Sequence, residues 1–275
     1  METIPDIQTV KTAILNVVSE SITKLTPLDM EKIVIQKLPL SKRKIKTAIR
    51  DLISAGDLTY TYLHGCSFLE QSFNKPIHIS KKIVLKPLQI SYLGNPGEVV
   101  VQLQHGASFG TGQHPTTRLA LQGIEQTLSS GAISGKNTAV CALDIGTGSG
   151  VLAIAAVLLG LGTAVGIDID PCARSEAKTN VKINGLSDRI KILNLPLERI
   201  NEKFSLIIAN LRYPTVRKLY PRIKQITGKG ARVVISGIKI QETSDFLDCY
   251  TEDTFEVVWR RAEKGWEGIA LKRNC

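Results

Sequence analysis

Apolar residues recur at helical spacing in the first quarter of the chain, and strand-like runs dominate later. Val10, Ala13, Ile14, Val17, Val18 and Ile22 trace one helical stripe. Thr26 before Pro27 reads as an N-cap with proline in the first helical position, opening a second helix to Leu38. Ser41 caps a third helix whose apolar face is Ile45, Ala48, Ile49, Leu52 and Ile53, with Gly56 at its end. The runs Leu58–Leu63 and Ser67–Phe73 predict a short hairpin around His64, Gly65 and Cys66. Pro76, Pro87, Gly94, Pro96 and Gly97 then break the pattern, so residues 75–98 read as a partly extended connector outside either domain.

From about Val99 the pattern alternates. Strands are expected at Glu98–Gln104, Thr138–Ile145, Ala164–Asp168, Arg189–Leu195, Ser205–Asn210, Ala231–Gly237, Phe255–Arg261 and Gly268–Arg273. Helices fit between them at Thr116–Ser129, Val151–Gly160, Pro171–Asn184, Thr215–Thr227 and Gln241–Tyr250. Such alternation predicts an α/β fold with a doubly wound, mostly parallel sheet covered on both faces. The last two strands read as an antiparallel hairpin at the sheet edge. The organisation expected is therefore a first domain over residues 1–74, a linker over 75–98 and a second domain over 99–275. Three helices and a hairpin in so short a first domain resemble a winged helix.

Composition adds limits. Over 275 residues the chain is 43% hydrophobic and 22% charged, which is ordinary globular composition. Its five cysteines are scattered without a CxxC pair, so neither a disulfide framework nor a zinc or other metal site is expected. The first ten residues lack a secretory pattern. The longest apolar run, Val151–Leu161, falls far short of the roughly 20 residues that span a bilayer. A soluble, cytoplasmic protein with no membrane partner is expected. The net charge of +10 favours polyanionic surroundings. Lys42, Arg43, Lys44, Lys46 and Arg50 concentrate charge on the third helix, so residues 41–50 are a candidate nucleic-acid contact; a solvated basic face is the alternative.

The chemistry gathers at Asp144, Gly146, Gly148 and Gly150, between a strand and a long aliphatic helix. Glycines at such a turn admit a ligand close to the backbone, and the helix start presents free N–H groups. Asp168, about 20 residues further on and ending the next strand, suits ribose hydroxyls. The spacing is GxGxG, unlike the GxGxxG of dehydrogenases. A nucleotide-like cofactor follows.

The run D-x-G-x-G-x-G, then Gly166-Ile167-Asp168-Ile169-Asp170, then a strand ending in Ala209-Asn210, resembles the class I S-adenosylmethionine-dependent methyltransferases, which have a Rossmann-like fold. Phe109-Gly110-Thr111-Gly112-Gln113-His114-Pro115-Thr116-Thr117 and the segment Ile207-Ile208-Ala209-Asn210-Leu211 look like the PrmA family in particular. That family methylates lysines and the N-terminal amine of ribosomal large-subunit protein eleven. The likeness runs from about Lys75 to the C-terminus; the winged-helix-like start departs from the family's pattern.

The resemblance implies S-adenosyl-L-methionine as cofactor and a protein substrate, possibly ribosomal. Nucleic-acid and small-molecule acceptors stay open. It implies cofactor contacts from Thr117, Gly146, Gly148, Gly150 and Asp168, with Ile169 against the adenine and Asp144 either orienting the loop or reaching the cofactor's ammonium group. Asn210-Leu211-Arg212-Tyr213 echoes the Asn-Pro-Pro-Tyr of amine methyltransferases. Asn210 would hold the acceptor and methyl donor in line, and Tyr213 would touch the substrate. His114 reads as a structural hydrogen-bonding residue.

Overall fold

The computed structural model describes residues 5–21, 23–63, 65–104, 109–112, 114–129, 141–251 and 254–274. His64 and residues 138–140, placed in the expected hairpin and strand, lie outside these. The chain divides into two compact units, residues 1–75 and 76–275.

The first unit has the order helix, helix, helix, hairpin: α1 (Ile7–Glu20), α2 (Pro27–Lys37), α3 (Lys42–Ser54), β1 (Leu58–Leu63) and β2 (Cys66–Gln71). Each helix starts where a side chain takes an otherwise unpaired backbone N–H. Asp6 accepts from Thr9, and Ser41 accepts from Lys44. Thr26 and Asp29 satisfy each other reciprocally at α2. Val10, Ile14, Met30, Val34, Ile45, Leu52, Leu58 and Leu69 meet in one buried core.

The second unit begins earlier than expected. Residues 75–98 are not a connector: they hold β3 (Ile77–His78) and β4 (Ile83–Pro87), and β4 is buried at every position. β4 pairs in parallel with β5 (Val99–Leu103), and β3 lies antiparallel on β4, so the three form a small sheet of their own. The prolines misled because Pro87 ends its strand, where a missing N–H costs little. β5 is likewise absent from the main sheet. Its backbone instead meets two asparagines of α6 (Pro171–Ile183) and its C-cap: Asn180 Oδ1 accepts from Gln104 N at 2.9 Å, while Asn184 accepts from Gln102 N and donates to Gln102 O.

The main sheet has seven strands. In chain order they are β6 (Cys141–Ile145), β7 (Thr163–Ile167), β8 (Ile190–Leu193), β9 (Phe204–Asn210), β10 (Thr227–Lys239), β11 (Phe255–Glu263) and β12 (Trp266–Arg273). Their spatial order is β11-β12-β10-β9-β6-β7-β8. All neighbours are parallel except at β12, which runs antiparallel to β10 and β11, so the terminal hairpin completes one edge. α7 (Tyr213–Ile226) and α8 (Thr243–Thr251) cover one face, where Leu143, Ile207, Val233 and Ile269 are buried with Val216 and Phe246. α4 (Pro115–Ser129) and α5 (Val151–Leu158) serve the other; an added Cβ on Gly123 of α4 would lie 2.9 Å from Val234 of β10.

The strand order reverses between β6 and β9. From β6 the chain builds outward through β7 and β8, then returns to β9 on the opposite side. In open α/β sheets a crevice opens at the carboxyl ends of the strands at such a switch point.

Asn180 is wholly buried, and besides Gln104 it reaches the glycine loop: its Nδ2 donates to Ser149 O at 2.8 Å. Asn180→Ala would strand an N–H and a carbonyl, each costing about 1–3 kcal/mol. A denaturant titration should show a loss of about 2–5 kcal/mol, whereas the exposed Lys178→Ala should change little.

Candidate functional site

At that switch point lies a cleft of about 620 Å³. Its rim and walls come from Phe109, Thr117, Gly146, Thr147, Gly148, Asp168, Ile169, Leu195, Pro196, Leu197, Asn210 and Leu211, among others. Nearly every one follows the carboxyl end of a strand or belongs to the segment entering α4. The volume and the largely apolar wall suit a small organic ligand with a few polar anchors.

The glycine loop is defined by how closely other backbone approaches it. Gly148 has φ +54°, and an added Cβ there would stand 2.7 Å from the Phe109 carbonyl oxygen. The same carbonyl accepts from Ser149 N at 3.0 Å, pinning the 109–112 segment over the loop. Gly150 behaves differently from the expectation. It is the N-cap of α5 with φ +81°, a Cβ added there would lie 3.3 Å from Ala177 Cα, and it does not line the cleft. Its contribution is to let α5 and α6 approach.

Two carboxylates hold the loop from opposite sides. Asp168 Oδ2 accepts from Gly148 N at 2.9 Å and Oδ1 from Asp170 N at 3.0 Å. Half-buried and lining the cleft, Asp168 is oriented by backbone and keeps acceptor capacity for a ligand. Asp144 is wholly buried and does not line the cleft. Its Oδ2 accepts from Thr147 Oγ1 at 2.7 Å and Ala153 N at 3.3 Å, so of its two expected roles the structure shows the orienting one. Desolvation pushes the Asp144 carboxyl up to about 7, against the lowering by those two hydrogen bonds.

Thr117 comes to the site as expected. It is 1% exposed, lines the cleft, and its Oγ1 has no hydrogen-bond partner. A buried hydroxyl left unpaired is costly unless a ligand or water meets it. His114 starts α4: its Nδ1 lies 2.8 Å from Thr116 Oγ1 and accepts from Thr116 N at 3.3 Å. A ring nitrogen that accepts from a backbone N–H is unprotonated, which fits the structural reading of His114. The His114 ring also neighbours those of Phe109 and Trp266, with centroids 5.2 Å away in each case.

Ile169 stands on the cleft rim at 92% exposure. Asn210 ends β9 and lines the cleft. β6 separates β7 from β9, so two sheet spacings of 4.7–4.9 Å put the ends carrying Asp168 and Asn210 about 10 Å apart. Tyr213 is not brought to the cleft. Its ring is buried in the core beside Phe246, because α7 begins at Tyr213 and turns that side chain under the sheet. Arg212 instead stays outside, 4.9 Å over the Trp266 ring and 3.2 Å from Glu242.

Several lining residues had no individual signal in the sequence. Leu195 and Pro196 follow β8 in an irregular segment, Leu197 opens a short 3-10 turn, and Leu211 lies inside the Asn-Leu-Arg-Tyr run. Phe109 opens the glycine-rich segment quoted above and could have been read from it.

The sequence matches the family described as ribosomal protein L11 methyltransferase (PrmA) over residues 69–274. The chain belongs to the PrmA family. A ribosomal protein L11 methyltransferase of Geobacter sp. (strain M21) is 34% identical over 199 residues, covering 72% of this chain and 64% of the relative. That of Geotalea daltonii is 33% identical over 204 residues, with 73% and 65% covered. The chain thus spans somewhat under two thirds of these PrmA relatives. The crystal structure of a ribosomal protein L11 methylase from Lactobacillus delbrueckii subsp. bulgaricus superimposes with a TM-score of 0.65 at 27% identity, covering 73% of this chain and all of the other. The PrmA match includes the β3–β5 sheet and leaves residues 1–68 outside.

Burial of Asp144 predicts a pH dependence. Its folded pKa exceeds its unfolded value near 3.8, so the folded state binds the extra proton between about pH 4 and 7. That contribution to stability is full below pH 4 and is lost as pH rises through 7. Asp144→Asn should therefore flatten the fall in melting temperature across this window. Parallel slopes for variant and parent would show that Asp144 does not titrate as described.

Proposed function

We propose that this chain transfers a methyl group from S-adenosyl-L-methionine to an amine of a protein, with a lysine of a ribosomal protein as first candidate. The observation that carries the reading is a cleft holding Asp168 at one strand end and Asn210 at another about 10 Å away, in a chain of the PrmA family. The residues fit that cofactor. Asp168 supplies a carboxylate for the ribose diol, the unpaired Thr117 hydroxyl a polar anchor, and Ile169, Leu195 and Pro196 an apolar wall for adenine. Gly146 and Gly148 put bare backbone on the cleft wall, where a side chain would strike Leu211 or the Phe109 carbonyl.

The cofactor supplies an already activated methyl group on a sulfonium, so the protein's task is positioning and desolvation. The Asn210 side-chain oxygen would accept an N–H of the acceptor amine and so orient the nitrogen lone pair toward the cleft. A neutral amine that gains a methyl group carries one surplus proton, which would pass to solvent. A free lysine amine has a pKa near 10.4 and must be neutral to attack. Leu211 and Phe109, which line the same cleft, disfavour the ammonium form by removing water. No general base is required of the site. The reading places the enzyme in the cytoplasm, among ribosomal proteins; no helix among the described residues is long and apolar enough to cross a membrane.

Incubation of the protein and a ribosomal-protein extract with methyl-labelled S-adenosylmethionine tests this. Label should appear in a nuclease-resistant protein band. Asn210→Ala should lower kcat by about 100-fold, the scale of lost alignment, with little change in donor KM. Label found only in nucleic acid or small molecules would overturn the protein acceptor.

A further inference from the structure

Residues 1–68 lie outside the family match, yet the described ones belong to a compact unit with one outward face of distinctive charge. Five of the ten Lys and Arg in residues 1–75 fall within Lys42–Arg50. All five are exposed on α3, opposite the buried Ile45, Ala48, Ile49 and Leu52. Lys46 is 3.5 Å from Glu31, and the one acid of the helix, Asp51, is paired with Lys11 at 3.0 Å. Among the described residues Lys42, Arg43, Lys44 and Arg50 form no ion pair.

The placement works against the helix itself. Lys42, Arg43 and Lys44 crowd the first turn, where the helix dipole disfavours cations by about 0.3–1 kcal/mol each. α2 shows the ordinary arrangement, with Asp29 in its first turn and Lys37 in its last. Local stability does not account for the basic first turn of α3, whereas an external polyanion does.

Arg43, Lys46, Thr47 and Arg50 follow i, i+3, i+4, i+7 spacing and so form one stripe. From Arg43 to Arg50 the helix rises about 10 Å. A B-form major groove about 12 Å wide admits an α-helix, whose diameter with side chains is about 10–12 Å, so a stripe of that length can lie along it. An A-form RNA groove is too deep and narrow for one. β1, which follows α3 through Gly56, exposes Tyr60 and Tyr62, whose rings and hydroxyls suit contact with sugar and phosphate.

We propose that the first unit is a winged-helix module that docks B-form duplex DNA, with α3 in the major groove and the β1–β2 hairpin against the backbone. The partner is recognised first through its phosphates, so affinity falls with salt.

Fluorescence anisotropy of the full chain with a duplex of about two helical turns tests this, with an RNA duplex and a single strand of the same sequence as further arms. Residues 76–275 carry 25 Lys and Arg against 17 Asp and Glu, so bare affinity at low salt is not the decisive reading. The decisive reading is the paired variant Arg43→Glu with Arg50→Glu. It should weaken duplex DNA binding at least about 10-fold and reduce the slope of log Kd against log salt by about 2, near 0.9 for each lost phosphate contact. Arg43→Gln with Arg50→Gln should show the same trend more weakly, and unchanged melting temperatures should show that both variants fold. An unchanged slope, an RNA duplex held as tightly as DNA, or no binding at low salt would each overturn the proposal.

Discussion

The site depends on how closely backbone can approach backbone around residues 146–150. Gly148 sits 2.7 Å, measured from where a Cβ would be, below the Phe109 carbonyl, and Gly150 lets α5 pack against α6. These approaches bring the Phe109 segment, the β7 end and the α5 start to one place. They also leave Gly148 N free to donate to Asp168, so the acidic side chain is aimed by the loop it helps to hold. A side chain at position 148 would disturb the ligand cleft and the cover above it together.

Polar groups buried behind the cleft extend that arrangement outward. Asn180 joins the loop at Ser149 to β5 at Gln104, and Asn184 ties β5 again at Gln102. The small β3–β5 sheet is thereby tied to the α6 segment by side-chain hydrogen bonds in place of further strand pairing. Asp144 anchors the loop from below through Thr147 and Ala153. Burying that carboxylate is unfavourable, and its raised pKa reports the cost. The cleft wall is thus held from behind by polar contacts, of which the bond from Thr147 to Asp144 starts at a residue that lines it.

Much of this was legible in the residues. From Val99 onward, alternating apolar runs placed the strands and helices to within a few residues, because strand and helix periods differ sharply. Asp168 and Thr117 were legible because short motifs fixed their local geometry. Elsewhere tertiary context decided. Residues 75–98 read as a linker since prolines and glycines dominate there, yet Ile83, Val84 and Leu85 found a buried sheet to join. Tyr213 was read by analogy with a motif, but the start of α7 turned it into the core beside Phe246. Gly150 was read as a ligand contact, although its neighbour Ala177 is invisible as such in sequence, whereas Asp144 was read with two roles, of which orienting the loop is the one its bonds to Thr147 and Ala153 match. The lining at 195–197 lacked any signal, since an irregular segment becomes a wall only through the strands that bring it there.

The central claim is that Asp168 and the glycine loop form a binding site for a nucleoside-bearing methyl donor. Calorimetric titration with S-adenosyl-L-homocysteine, the demethylated product, tests it most directly because no acceptor need be known. The account predicts one site per chain, with Asp168→Ala weakening binding by about 1.5–3 kcal/mol, the worth of hydrogen bonds to a charged group, or on the order of 10- to 100-fold. Equal affinity in parent and variant, or no binding by the parent chain, would contradict it.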